Sequence, residues 1–472
     1  MADLLTAAIA ANRLGLGARP GDLQALAADP RGALRAQIAG AAPLLAAGQL
    51  QDSATVLART AELRRERAQE KRAAGSADPG EAVVAVAAKL GALYRPIYLD
   101  ECTARLRFGI TSDRSFVERL VHFWSNHFAV SIDKRIVAGV AGALEREAIR
   151  PHVLGSFRDM LLAVEQHPAM LLYLDNFQSV GPGSDAARVV LRRAAGGGGR
   201  KLGINENLAR EILELHTLGA DGGYTQSDVT EFAKVITGWS IGGGKGRLRG
   251  GETGRFYFRE ALHEPGAKQV LGKRYTQDGA AQGVAVLRDL ARAPATARHI
   301  ASKLARHFIA DEPPASACDR LAHAFSNSDG DLQTLYRTLI DSPELWSQAT
   351  AKFKTPSDYI YSSYRALGTH VEVGRPALQI FELLGQRTFS PGSPAGWPDR
   401  SADWDGPSSI LKRVEWADQL GQRFGNQVNA ALLAPKLLGS ALSAATRTAI
   451  ARAESAAQAL TLLLAAPEFM RR

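Results

Sequence analysis

Residues 205–219, NENLAREILELHTLG, put three carboxylates and an imidazole on one short segment. At helical spacing Asn207, Glu211 and Glu214 share a face, so two carboxylates stand one turn apart. They repel unless a proton, a cation or a metal lies between them. Arg210 reaches Glu206 and Glu214 at i±4, which leaves Glu211 without a partner inside the helix. Leu208, Ile212 and Leu215 form the apolar stripe, with His216 nearer that side. Asn205 suits the N-cap and Gly219 the C-cap.

Other ligand-type residues sit in apolar surroundings. In ERLVHFWSNHFAVS, residues 118–131, Asn126 and His127 lie on a helix rich in Phe and Val. Histidine with carboxylate suits zinc, iron or manganese. The candidate metal ligands are therefore His127, Glu211 and His263, with His216 and Asp228 as alternates, and the implied cofactor is a divalent transition metal. Glu211, Arg210, Asn207 and Asn126 are the candidate catalytic groups, Arg210 as orienter or anion binder. Each has a plainer use. A lone inward histidine is more often a core residue donating to a carbonyl. Asp228 with Thr225 has the spacing of a capping box. Glu260-x-x-His263 is a single copy in a predicted hairpin, whereas a carboxylate-bridged two-iron bundle needs two copies on helices. His299 and His307, with Lys303 between them, read as surface. Arg146, Glu147 and Arg150 precede a proline and are suited to capping or bridging helices. Trp397 and Trp404 share an irregular loop with Asp399, Asp403 and Asp405. Such a loop packs on the body or lines a sugar-like or cationic site.

The elements that must position these groups are mostly helices. Periodicity predicts helices over 54–73, 81–93, 98–108, 114–130, 294–310, 315–328, 331–341, 352–368, 376–385, 407–424 and 442–464. One β-hairpin is expected near 255–275, with Phe256 and Phe258 alternating, a Pro265-Gly266 turn and a return strand from Val270. Glycine-rich basic loops are expected at 179–203 and 238–254. The fold class is mainly α: a large helical domain, a small hairpin and long loops. SADPG at 76–80 reads as a linker, so the domains are an N-terminal segment, 1–75, and a main body, 81–472, or one continuous domain.

Bulk composition narrows the function classes. The chain has 472 residues, 46% hydrophobic and 22% charged, an ordinary globular balance. The net charge of +9 permits polyanion binding, yet no nucleic-acid module is readable. Walker A, GxSxG, HExxH and CxxC motifs are missing. Cys102 and Cys318 have no metal or redox spacing. No apolar run reaches the ~20 residues of a membrane span, and MADLLTAAIAANRLGLG lacks the charged start of a signal peptide. The default expectation is a cytoplasmic protein, or an exported one if a leader has been removed.

FWSNHFAVS, EREAIRPH, EQHPAMLLYLDN, NENLAREILELHTLGADGGYTQSDV, ITGW, HEPGAKQVLG and SPAGWPD occur in that order. Together they resemble the bacterial family known as domain of unknown function 1800, from about Ala11 to the C-terminus. The resemblance implies a mainly helical bacterial protein and a frequent genomic companion, a sulfatase-like family of the alkaline-phosphatase superfamily, as a partner by family analogy. It implies no activity. Many relatives look exported, and this chain departs from them in lacking a leader. Three functions stay open. One is a structural or envelope-polymer-associated scaffold, in which the polar residues fix helix packing. The second is a metal-dependent enzyme, hydrolytic or oxidative, with a His/carboxylate site between helices. The third is polyanion binding through the basic loops.

Overall fold

The predicted helical periodicity becomes helix along most of the chain in this computed structural model. It describes residues 4–45, 50–73, 79–194, 203–244, 249–347, 352–368 and 374–472. The 407–424 segment forms the helix Pro407–Phe424. The segments 54–73 and 331–341 appear as Ser53–Ala73 and Leu332–Asp341. The two helices expected over 81–108 are one, Pro79–Thr111, which runs through Pro96. A proline inside a helix costs about 3 kcal/mol. Burial of Tyr94 before it, and of Cys102 and Leu106 after it, offsets that cost.

Apolar burial divides into two main clusters. The larger takes the inner faces of Ser115–His127, Phe157–Glu165, Gln226–Val235, Pro294–Phe308 and Leu332–Asp341. The second is built from Pro356–Leu367, Pro407–Phe424 and Ala456–Leu464. The N-terminal segment serves both: Ile9 and Leu14 enter the first, Ala7, Ala11 and Leu16 the second. A wide π turn over Ala10–Leu14, closed by Gly15 N–H to the Ala10 carbonyl at 2.9 Å, lets one short stretch face two ways.

Buried arginines tie the parts together. Arg365, 1% exposed, donates to the carbonyls of Gly17, Gly109, Ile110 and Ser112 at 2.7–3.1 Å. Arg150 grips Glu118 with two bonds of 2.7 and 2.9 Å, and Arg146 pairs with Glu101 at 2.7 Å. Glu147 accepts from Ser53 and meets His167 at 3.0 Å. Arg146, Glu147 and Arg150 thus bridge elements, as their clustering suggests.

The β structure is richer than one hairpin. Phe256–Phe258 pairs antiparallel with Trp239–Ile241, and Lys268–Val270 pairs with Lys273–Tyr275. Phe256 is therefore partnered by a strand from the predicted 238–254 loop. That strand seats Trp239 in the core, which local alternation around residue 256 could not reveal. The predicted 179–203 loop holds the helix Asp185–Ala194, and its residues 195–202 lie outside those described. Among the described residues no helix is long and apolar enough to cross a membrane.

Candidate functional site

Where the two clusters meet, a cavity of about 350 Å³ opens between the helices Ser115–His127 and Pro294–Phe308 and the loop that precedes Pro407–Phe424. Periodicity dictates what each helix shows it. On the first, Arg119, His122, Phe123, Asn126 and His127 recur at three- and four-residue steps; on the second, Lys303 and His307 stand one turn apart. The loop supplies Trp397 and Asp399. Asn126 clamps it: its side-chain amide donates to the Trp397 carbonyl at 2.9 Å and accepts from Trp397 N–H at 2.7 Å. Gly396, at φ +83°, allows that approach, because a Cβ there would lie 2.3 Å from the Asn126 carbonyl oxygen.

The Asp399 carboxylate is held from several sides. His307 Nδ1 lies 3.0 Å away, Arg472 3.6 Å and Lys352 3.8 Å. With Nδ1–H given to Asp399, His307 Nε2 is left as an acceptor, and it has no hydrogen-bond partner among the described residues. Burial lowers the His307 pKa more than Asp399 raises it, so the ring is neutral at neutral pH. Asp399 itself is driven far below the usual carboxylate range: the pull of His307, Lys352 and Arg472 exceeds the opposing effect of burial.

The cavity carries surplus positive charge. Arg105, Arg119, Lys303, Arg306 and Arg400 line it against Asp358, Asp399 and Asp403. Arg105 and Arg400 are matched elsewhere, by Glu145 at 2.7 Å and Glu312 at 3.2 Å. Arg119, 2% exposed, meets Asp358 at 3.1 Å and leaves Nη1 without a hydrogen bond. No carboxylate comes within ion-pair distance of Lys303 or Arg306 among the described residues, and Arg306 Nε is buried and unbonded. Burial pushes the Lys303 ammonium down to about 8, with Asp399 opposing and Arg306 reinforcing. Lys303 and Arg306 are half-buried, and cations so placed without an ion pair are costly unless an anion joins them.

The chain belongs to the family described as protein of unknown function, DUF1800. The family model matches residues 9–471, nearly the whole sequence. No curated protein and no solved structure matches.

The sequence-derived candidates of this DUF1800 protein scatter. Asn126 and His127 line the cavity; Asn207, Arg210, Glu211, His216, Asp228 and His263 do not. His127, 1% exposed, gives its Nε2 proton to the His216 carbonyl at 3.1 Å. His216 Nδ1 meets Glu165 at 2.7 Å inside the core. His263 donates from Nδ1 to the Thr237 carbonyl at 2.9 Å. Asp228 closes a capping box with Thr225 and accepts from Leu271 N–H at 2.6 Å. Among the described residues no group of three or more His, Cys, Asp or Glu side chains is placed to hold a metal ion. His127, Glu211 and His263 therefore do not form one ligand set.

The helix around Glu211 also differs in detail. Its N-cap is Glu206 rather than Asn205, without a side-chain cap bond; Asn205 stands one residue earlier and accepts from Asn207 N–H at 2.9 Å, and Asn207 is exposed. The regular turn Asn207–Glu211 widens into a π turn, Ile212–Thr217. Arg210 bonds Glu206 at 3.2 Å and Gln226 at 2.9 Å, while Glu214 accepts from the Tyr224 hydroxyl. Arg210 thus satisfies one of the three acids rather than two. Glu211 is half-buried without an ion pair among the described residues, and burial raises its pKa.

His307 and Lys303 are what a surface reading of their helix misses. Neither is exposed. Their four-residue spacing next to buried Leu304 and Phe308 was a usable signal. The acid that completes the pair, Asp399, lies 92 positions away.

Proposed function

We propose that the protein is an enzyme that binds a small anionic substrate in this cavity and moves a proton with His307. Lys303, Arg306 and the free Nη1 of Arg119 neutralise the substrate's acid group. Asp399 is a positioning residue: it fixes the His307 tautomer and ring orientation, leaving Nε2 as general base. The observation that carries this reading is a single constellation, an unbonded His307 Nε2 beside cations that no carboxylate matches. The chemistry it suits is proton abstraction, or activation of water or a hydroxyl, next to a group whose negative charge grows in the transition state.

The test uses inorganic phosphate and acetate as probes, followed through the nitrogen resonances of the histidine rings. His307 is expected to shift saturably on titration, and Lys303→Met to weaken that response about tenfold or more. Binding should also fade as the pH rises through about 8, because Lys303 then loses its charge. If neither probe moves the His307 resonances at any reachable concentration, the anion reading is wrong.

A further inference from the structure

A second opening adjoins the first. It encloses about 290 Å³ beside the residues that follow the π turn, Leu218–Asp221, and it shares Lys303 and Arg306 with the main cavity. Arg298 and Ser302 line it from the same helix, and Asp221 stands on its rim as the one carboxylate. Arg298 is exposed and makes no ion pair among the described residues. Arg298, Ser302 and Arg306 follow one another at four-residue steps, so they stack along one helix face. The row spans about 12 Å at the helical rise of 1.5 Å per residue. It is a cationic track that runs from solvent to the wall of the cavity.

We propose that the substrate is an acidic oligosaccharide: one acid-bearing sugar sits at His307, and neighbouring acid-bearing units lie along Arg298, Ser302, Lys303 and Arg306. This rests on the anion-site reading above and names its substrate class. Three observations support it. The unmatched cations continue beyond the space one small anion would fill. Lys303 and Arg306 face both openings, so the ligand that satisfies them can occupy both. The main cavity is also lined by the aromatic residues Trp397 and Phe123, a lining that suits the C–H faces of a sugar ring better than a bare inorganic chain.

The track and the cavity can be tested separately by calorimetry with galacturonic acid, its linear trimer, phosphate and tripolyphosphate. Arg298→Ala changes an exposed side chain outside the proposed catalytic group, and its melting curve confirms folding. The trimer is expected to bind wild-type protein about tenfold tighter than the single sugar. Arg298→Ala should remove most of that gain and leave single-sugar affinity unchanged. A trimer that binds no tighter than the single sugar overturns the track while leaving the anion site standing. A gain untouched by Arg298→Ala also overturns it. Tighter binding of tripolyphosphate than of the trimer overturns the sugar class. If galacturonic acid and phosphate both fail to bind, the underlying anion-site reading falls instead.

Discussion

His307 and His216 make the same contact in different settings. Each places Nδ1 on a carboxylate, Asp399 at 3.0 Å and Glu165 at 2.7 Å, and each leaves Nε2 without a hydrogen bond among the described residues. His216 and Glu165 are sealed, at 1% and 0% exposure, with the rings of Phe128 and His127 against the imidazole. His307 and Asp399 keep 14% and 23% and both line a cavity, although the His307 Nε2 atom is itself buried. A histidine–carboxylate contact is therefore no sign of chemistry by itself. In the core it satisfies buried polar atoms and fixes the packing of two helices. At the cavity the same contact orients a histidine that lines an opening, so a small shift of its ring would present Nε2 to another molecule.

Breaking each pair should separate the two roles. On any acidic substrate that the protein turns over, His307→Asn is expected to lower kcat by about 100- to 10,000-fold, measured by steady-state kinetics. Its unfolding free energy should change by only about 1 kcal/mol, because Asp399 retains Lys352 and Arg472. Glu165→Ala is the opposite case: a loss of about 3 kcal/mol in urea unfolding, since it strands the His216 Nδ1–H in the core. A variant of Glu165 that kept full stability but lost activity would reverse the assignment.

Acid should unfold the protein for a related reason. Burial holds His127 and His122 well below the ordinary histidine value and His299 down at about 4. The unfolded chain takes up these protons near pH 6.5, the folded protein only at lower pH. Stability is thus complete above about 6.5 and is lost as the pH falls from there toward 4. His299→Gln should flatten that slope in urea titrations across the range. The smallest expected effect is that of Asn126→Ala, which removes both bonds to Trp397 and costs about 1–2 kcal/mol. It should weaken phosphate binding through loosened placement of Asp399, while the His216 resonances stay where they are.

Much of this was legible along the chain. Helices with a clean apolar stripe, such as Pro407–Phe424, follow directly from periodicity, because burial of one face is a local pattern. Capping behaves the same way: Thr225 with Asp228 is satisfied within three residues. Pairing was less legible. The partner of Phe256–Phe258 lies upstream at Trp239–Ile241, beyond a glycine-rich stretch that carries no alternation of its own. The candidate site was legible only in pieces. Asn126 and His127 stood out by type and line the cavity. Glu211 stood out by charge, yet it shares neither a cavity nor a ligand set with them.

By itself the sequence determined the helical class, the membership of DUF1800 residue by residue, and the surplus of basic side chains. These depend on local spacing and on summed composition, which need no knowledge of what lies across the fold. Only the tertiary structure decided which histidine lines a cavity and which cations lack an ion pair among the described residues. Both are properties of what surrounds a side chain. His307 gains its role from Asp399, Lys352 and Arg472, residues that reach it from distant parts of the chain, and Lys303 gains its role from standing near Asp399 without an ion pair among the described residues.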